Sequence, residues 1–271
     1  MLTQREYNGW LLVENKPNQP NYKILLLPGL QGSDLVFQKL LESDILASNG
    51  IHVIAGNPPG FKGLPVPADF NFSIESFAAQ FEKIAAEEKV DLILGHSFAA
   101  NVLIEVAARK TYKGMLFLIS PSLTRDSETK ELLMLDSFSR KPLLSGIMWW
   151  VTYMMMDSIF KPYFDDTTSL ASVVRDGKKI PRDVGRKTLL GYFDNIDMHK
   201  NLAKRLVETE TQVHYVRGSK DDIKFSVENK NFLQSSPKIR VHEIEGARHF
   251  AMLDKPDEVA TLIVNALGVG S

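Results

Sequence analysis

Val90-Asp91-Leu92-Ile93-Leu94-Gly95-His96-Ser97-Phe98-Ala99-Ala100 is the stretch on which the reading of this chain turns. An apolar run suited to a buried strand ends near Gly95. A helical pattern follows at once, with Val102, Leu103, Val106 and Ala107 at helical spacing. So short a passage from strand to helix strains the backbone at its centre and leaves room only for small residues two positions to either side. Gly95 and Ala99 stand there. Ser97 is then held above the sheet edge, at the positive end of the following helix. An ordinary strand-to-helix turn capped by Ser97 has the same local sequence, so the rest of the chain must decide.

Outward from this turn, short apolar runs alternate with longer helical patterns. Strands are expected at 10–14, 23–27, 51–55, 90–94, 115–119, 212–217 and 240–244. Several are nearly continuous in Ile, Leu and Val, as in strands covered by helices on both faces. The fold class this implies is α/β, a mostly parallel twisted sheet flanked by helices. One helix opens at Ser73-Ile74-Glu75, with Ser73 as N-cap and Glu75 in the first turn. Its Ile74, Phe77, Ala78, Phe81, Ile84 and Ala85 recur at helical spacing and face the sheet. A final helix begins near Pro256. Between Pro121 and about Arg205 the strand signals vanish and Met- and Trp-rich helical sequence takes over. Residues 121–205 therefore read as a helical cap inserted into a core made of residues 1–120 and 206–271.

A serine hydroxyl attacks a carbonyl only when a base removes its proton, and histidine has the fitting pKa. Of the six histidines, His52, His214 and His242 lie within strand patterns, which suits a packing or surface role. His96 precedes the serine, so its side chain points elsewhere around the turn. His249 lies in Gly246-Ala247-Arg248-His249-Phe250, past the last strand, in a loop that opens at the carboxyl edge of a parallel sheet. An acid that orients the base is expected between the two, after another strand. Gly218-Ser219-Lys220-Asp221-Asp222 supplies two candidates, Asp221 and Asp222.

With those residues in place the sequence resembles the α/β-hydrolase fold family over nearly its whole length. The family's Gly-x-x-Asp pattern points to Asp221 rather than Asp222, and Gly246 to Phe250 is similar to its Gly-x-x-His-Phe. The resemblance implies that Leu27-Pro28-Gly29-Leu30-Gln31-Gly32-Ser33 is the oxyanion loop. Leu30 N–H and Phe98 N–H would then be the two donors. It further implies acyl transfer to water with Ser97, Asp221 and His249 as a catalytic triad. Pro28 stands where a histidine is frequent and Ala99 where a second glycine is usual. Serine at the turn disfavours the family's epoxide hydrolases and dehalogenases, which use aspartate there.

Composition excludes several classes of partner. Lys and Arg (32) balance Asp and Glu (33) for a net charge of -1, against the cation excess that nucleic-acid binding needs. There is no cysteine, and hence no thiolate nucleophile or Cys-based zinc site. No metal-ligand spacing and no Gly-rich nucleotide loop appear, so no cofactor is expected. The first residues carry no apolar run of the signal-peptide kind, which makes cytoplasmic location the expectation. Trp149, Trp150, Tyr153 and Met154 are candidates to line an apolar pocket, or else simply pack the cap on the core. The uncharged run from Leu143 to Met156 is shorter than the roughly 20 residues a bilayer crossing takes. Stable membrane insertion is thus not expected, while transient contact with a lipid surface stays open. The basic stretch from Arg175 to Lys187 reads as a solvated face more readily than as an anion site. The expected substrate is a small to medium apolar ester. A thioester, a C–C bond, acyl transfer, or ligand binding without turnover are the alternatives, and oligomeric state is not legible.

Overall fold

The computed structural model describes residues 2–269. Its strands are Thr3–Tyr7 (β1), Trp10–Asn15 (β2), Tyr22–Leu27 (β3), Ile51–Asn57 (β4), Leu92–His96 (β5), Met115–Ile119 (β6), Val213–Gly218 (β7) and Ile239–Ile244 (β8). They form one sheet in the order β1-β2-β4-β3-β5-β6-β7-β8. β1 and β2 pair antiparallel with their neighbours, and the six strands from β3 to β8 run parallel.

The helices Gln38–Leu41 (α1) and Asp44–Ser48 (α2) connect β3 to β4, and Ile74–Glu88 (α3) and Phe98–Arg109 (α4) flank β5. Five helices lie between β6 and β7: Lys130–Ser139 (α5), Pro142–Phe160 (α6), Thr167–Lys179 (α7), Arg182–His199 (α8) and Leu202–Val207 (α9). Val227–Gln234 (α10), Ala251–Asp254 (α11) and Pro256–Ala266 (α12) complete the chain.

The sheet divides the apolar residues into two cores because successive side chains on a strand point to opposite faces. Leu25 and Leu27 of β3, Ile93 of β5, and Leu116 and Leu118 of β6 pack on one side with α3, α4 and α9. Ile24 and Leu26, Leu92 and Leu94, and Phe117 and Ile119 pack on the other with α1, α2 and α12. Both faces are covered, which is why these strands are almost uninterrupted Ile, Leu and Val. Helix α3 begins as the sequence indicates, with Ser73 Oγ accepting from Ser76 N–H.

Two differences from the sequence reading have clear causes. β1 was not expected: its Gln4, Glu6 and neighbours are polar and mostly exposed, as befits an edge strand. Asn8-Gly9, both at positive φ, closes the hairpin to β2 and was its sequence signal. The strand before Ser97 starts at Leu92 rather than Val90. Val90 N–H instead bonds the Ala85 carbonyl at the end of α3, and the Asp91 carboxylate accepts from Lys23 N–H.

Candidate active site

Ser97 lies between the end of β5 and the start of α4, with φ 51 and ψ -116. Such a positive φ is uncommon for a residue with a side chain and is sustained only where the surroundings hold it. Here Ser97 N–H bonds the Ile119 carbonyl at 2.8 Å, tying the turn to the end of β6. The small neighbours are required by close approach. A Cβ on Gly95 would stand 2.7 Å from the backbone of Ala99. A Cβ on Gly29 would come within 3.1 Å of the Ser97 Cβ, so the loop after β3 presses its backbone against the serine. Leu30 follows in that loop, half-buried, and Phe98 opens α4 with its ring packed against Phe61 and Phe77.

Asp221 and His249 meet directly. His249 Nδ1 is 3.0 Å from Asp221 Oδ1, which also accepts from Ile223 N–H at 3.0 Å. Asp222 turns away and accepts from the Tyr163 hydroxyl. Burial by itself would push the Asp221 carboxyl up. The bond to His249 and its charge, with help from Ser120 and Ile223 N–H, outweighs that and holds it below the usual carboxylate range. Burial likewise opposes the charged form of His249, yet the Asp221 bond and charge, aided by Glu128 and Asp222, leave the imidazole above its ordinary value.

The backbone of His249 is fixed beside the serine turn. Its carbonyl is 3.1 Å from His96 Nε2 and accepts from Ser120 Oγ at 3.1 Å. The His96 and His249 rings lie 4.7 Å apart. Position 249 is thereby brought against the residue that precedes Ser97. The His96 ring thus packs against the loop that carries His249. Burial holds His96 well below the usual histidine value, so it stays neutral.

Glu128 and Tyr192 were missed by sequence reasoning. Glu128 sits buried in the connection after β6 and accepts from the Tyr192 hydroxyl of α8, whose ring lies 6.1 Å from that of Phe98. Burial pushes the Glu128 carboxyl up, and its charge acts on His249. A lone glutamate in Arg125-Asp126-Ser127-Glu128 gives no sign in the sequence that it folds inward.

The four aromatic and Met candidates fall on two sides of α6. Trp149 is buried with Nε1 donating to Ser139 Oγ. Tyr153 donates its hydroxyl to the Ile180 carbonyl at 2.6 Å, and the same oxygen lies 3.3 Å from Gln31 Oε1 of the loop after β3. Trp150 and Met154 are 52% and 61% exposed. Three of the six cations of the basic stretch are ion-paired: Lys178 with Asp157, Lys179 with Asp176, Lys187 with Asp183.

A sheet of this order, with a strained serine at the end of β5 and a histidine–carboxylate pair at the ends of β7 and β8, is the α/β-hydrolase architecture. The sequence profile of the Alpha/beta hydrolase family matches residues 24–262, and the chain belongs to that family. Solved structures of the same fold include a putative aryl esterase from Burkholderia cenocepacia, 16% identical with a TM-score of 0.74 over 98% of each chain. Epoxide hydrolase A from Mycobacterium thermoresistibile is 14% identical, also at 0.74 over 98% of each. The enol-lactonase from Burkholderia xenovorans is 13% identical at 0.71, over 98% of this chain and 100% of that one. No curated protein matches the chain in sequence.

Proposed function

We propose that the chain is a serine hydrolase that cleaves carboxylic esters of small to medium apolar substrates through an acyl-enzyme on Ser97. The observation that carries this reading is the 3.0 Å bond from His249 Nδ1 to Asp221 Oδ1, made beside the residue that precedes a strained serine. Asp221 keeps the proton on Nδ1 and leaves Nε2 free to act as base.

Nε2 takes the Ser97 proton as Oγ bonds to the ester carbon, and the carbonyl electron pair moves onto oxygen. Leu30 N–H and Phe98 N–H receive that oxyanion. Collapse re-forms the carbonyl and expels the alcohol, which leaves with the proton held by His249. Water, deprotonated by the same nitrogen, then attacks the acyl group and releases the carboxylate and Ser97. Helices α5 to α8 act as the cap: Tyr153 reaches Gln31 of the oxyanion loop and Tyr192 packs near Phe98.

The test is a series of p-nitrophenyl esters of rising acyl length, run on wild type beside Ser97→Ala. Wild type should show an optimum length, and the variant should lose turnover by a factor of about 10⁴ or more. Equal turnover in both proteins would remove Ser97 from the reaction. An added alcohol or thiol that outcompetes water as acceptor would reassign the activity to acyl transfer.

A further inference from the structure

Helix α6 presents an apolar surface that none of the described residues covers. From Pro142 to Met156, fifteen consecutive residues carry no charge. Of the twelve large hydrophobic side chains exposed among the described residues, seven belong to this helix. Leu143, Ile147, Trp150 and Met154 are 91%, 60%, 52% and 61% exposed, and their spacing of four, three and four places them on one face. Contiguous apolar surface of this kind is seldom left in water without a partner.

The opposite face is anchored. Trp149 and Met156 are buried, and Trp149 and Tyr153 are hydrogen-bonded to Ser139 and to the Ile180 carbonyl. By length and composition the segment Pro142–Tyr163 is apolar enough to cross a bilayer. Crossing would strip those inner contacts, whereas lying flat preserves them.

Chemistry selects what covers the outer face. The hydroxyls of Ser145 and Thr152 are satisfied within the helix, by the Pro142 and Met148 carbonyls. A protein partner forms about one hydrogen bond per 100–200 Å² of interface, and this stripe offers it only the Trp150 indole. Cations frame the stripe. Lys141 at the N-cap and Lys161 at the C-cap form no ion pair among the described residues, while Asp157 is neutralised by Lys178 at 2.7 Å. The two lysines stand about 30 Å apart, at 1.5 Å per residue. Apolar side chains between end-placed cations, with an indole at mid-length, match acyl chains beneath anionic phosphates.

We infer that α6 is a membrane-docking helix, which lies along the surface of an anionic phospholipid bilayer with Leu143, Ile147, Trp150 and Met154 among the acyl chains and Lys141 and Lys161 at the phosphates. The inference stands apart from the catalytic reading, because it concerns the exposed face of α6 and is read by binding alone.

The experiment is co-sedimentation of the full chain with vesicles of phosphatidylcholine alone and of phosphatidylcholine with phosphatidylglycerol. Wild type should sediment with the mixed vesicles. The double variant Ile147→Glu/Met154→Glu should lose binding by about tenfold or more, and Lys141→Glu/Lys161→Glu should lose the preference for phosphatidylglycerol. All four positions are at the surface, and circular dichroism checks that each variant is folded. Wild type left in the supernatant with both vesicle types overturns the inference. So does unchanged vesicle binding by Ile147→Glu/Met154→Glu, with or without a dimer turning into monomer; a lost dimer would mean that a second copy covers the face.

Discussion

His249 is held by two carboxylates of different kinds. Asp221 bonds Nδ1 directly, and Glu128, itself bonded by the Tyr192 hydroxyl, acts by charge. Together they outweigh burial and raise the imidazole, so the acidic limb of kcat/KM should lie above the ordinary histidine value of about 6.5. Asp221→Asn keeps the shape but favours the wrong tautomer, and ester turnover should fall by about 10⁴. Glu128→Gln removes a negative charge without touching the Nδ1 bond. The imidazolium is then less favoured, so the acidic limb should shift to lower pH while the plateau rate above it is largely retained. A pH–rate profile of Glu128→Gln that overlays wild type would show that this carboxylate does not act on the base.

At the scale of elements, the helical segment is fastened to the sheet by a buried charge chain. Asp34 follows β3, Lys62 follows β4, and Asp176 lies on α7. Lys62 Nζ is 2.7 Å from Asp34 and 3.3 Å from Asp176, and Asn57 donates to Asp34 from the end of β4. Lys62→Met would leave two buried carboxylates short of their shared cation, which costs about 3 kcal/mol in comparable buried pairs. Urea unfolding should show that loss, and a change below about 1 kcal/mol would mean the carboxylates are held otherwise. None of this was legible from Lys62 in its Gly-rich turn, because long-range charge pairing leaves no periodic trace. What was legible had local causes: the Ser97 turn, the doubly covered strands and the Ser73 cap. β1 escaped notice because an exposed edge strand needs no apolar alternation. Trp150 and Met154 could not be told from Trp149 and Tyr153 because α6 is apolar on nearly every side, so periodicity does not say which face is buried.

For the molecule as a whole, buried histidines set the response to acid. Burial lowers His52, His96 and His242, and lowers His214 to about 4. Below the ordinary histidine value the unfolded chain takes protons at these sites that the folded chain refuses, so stability falls as pH falls towards each folded value. His249 has the opposite sign: its folded value is raised, and its contribution is present at low pH and lost as pH rises. Four sites outweigh one, each at up to about 1.4 kcal/mol per pH unit. The urea midpoint should therefore be lower at pH 5 than at pH 7, and a midpoint that is equal or higher at pH 5 would contradict the assignment. The central claim is that Ser97 is activated by the His249–Asp221 pair. Its most direct measurement is labelling by a fluorophosphonate probe, with the modified peptide located by mass spectrometry. The account predicts rapid modification at Ser97 alone, slowed strongly in His249→Ala and absent in Ser97→Ala. Modification elsewhere, or labelling of Ser97 at the same rate without His249, would contradict it.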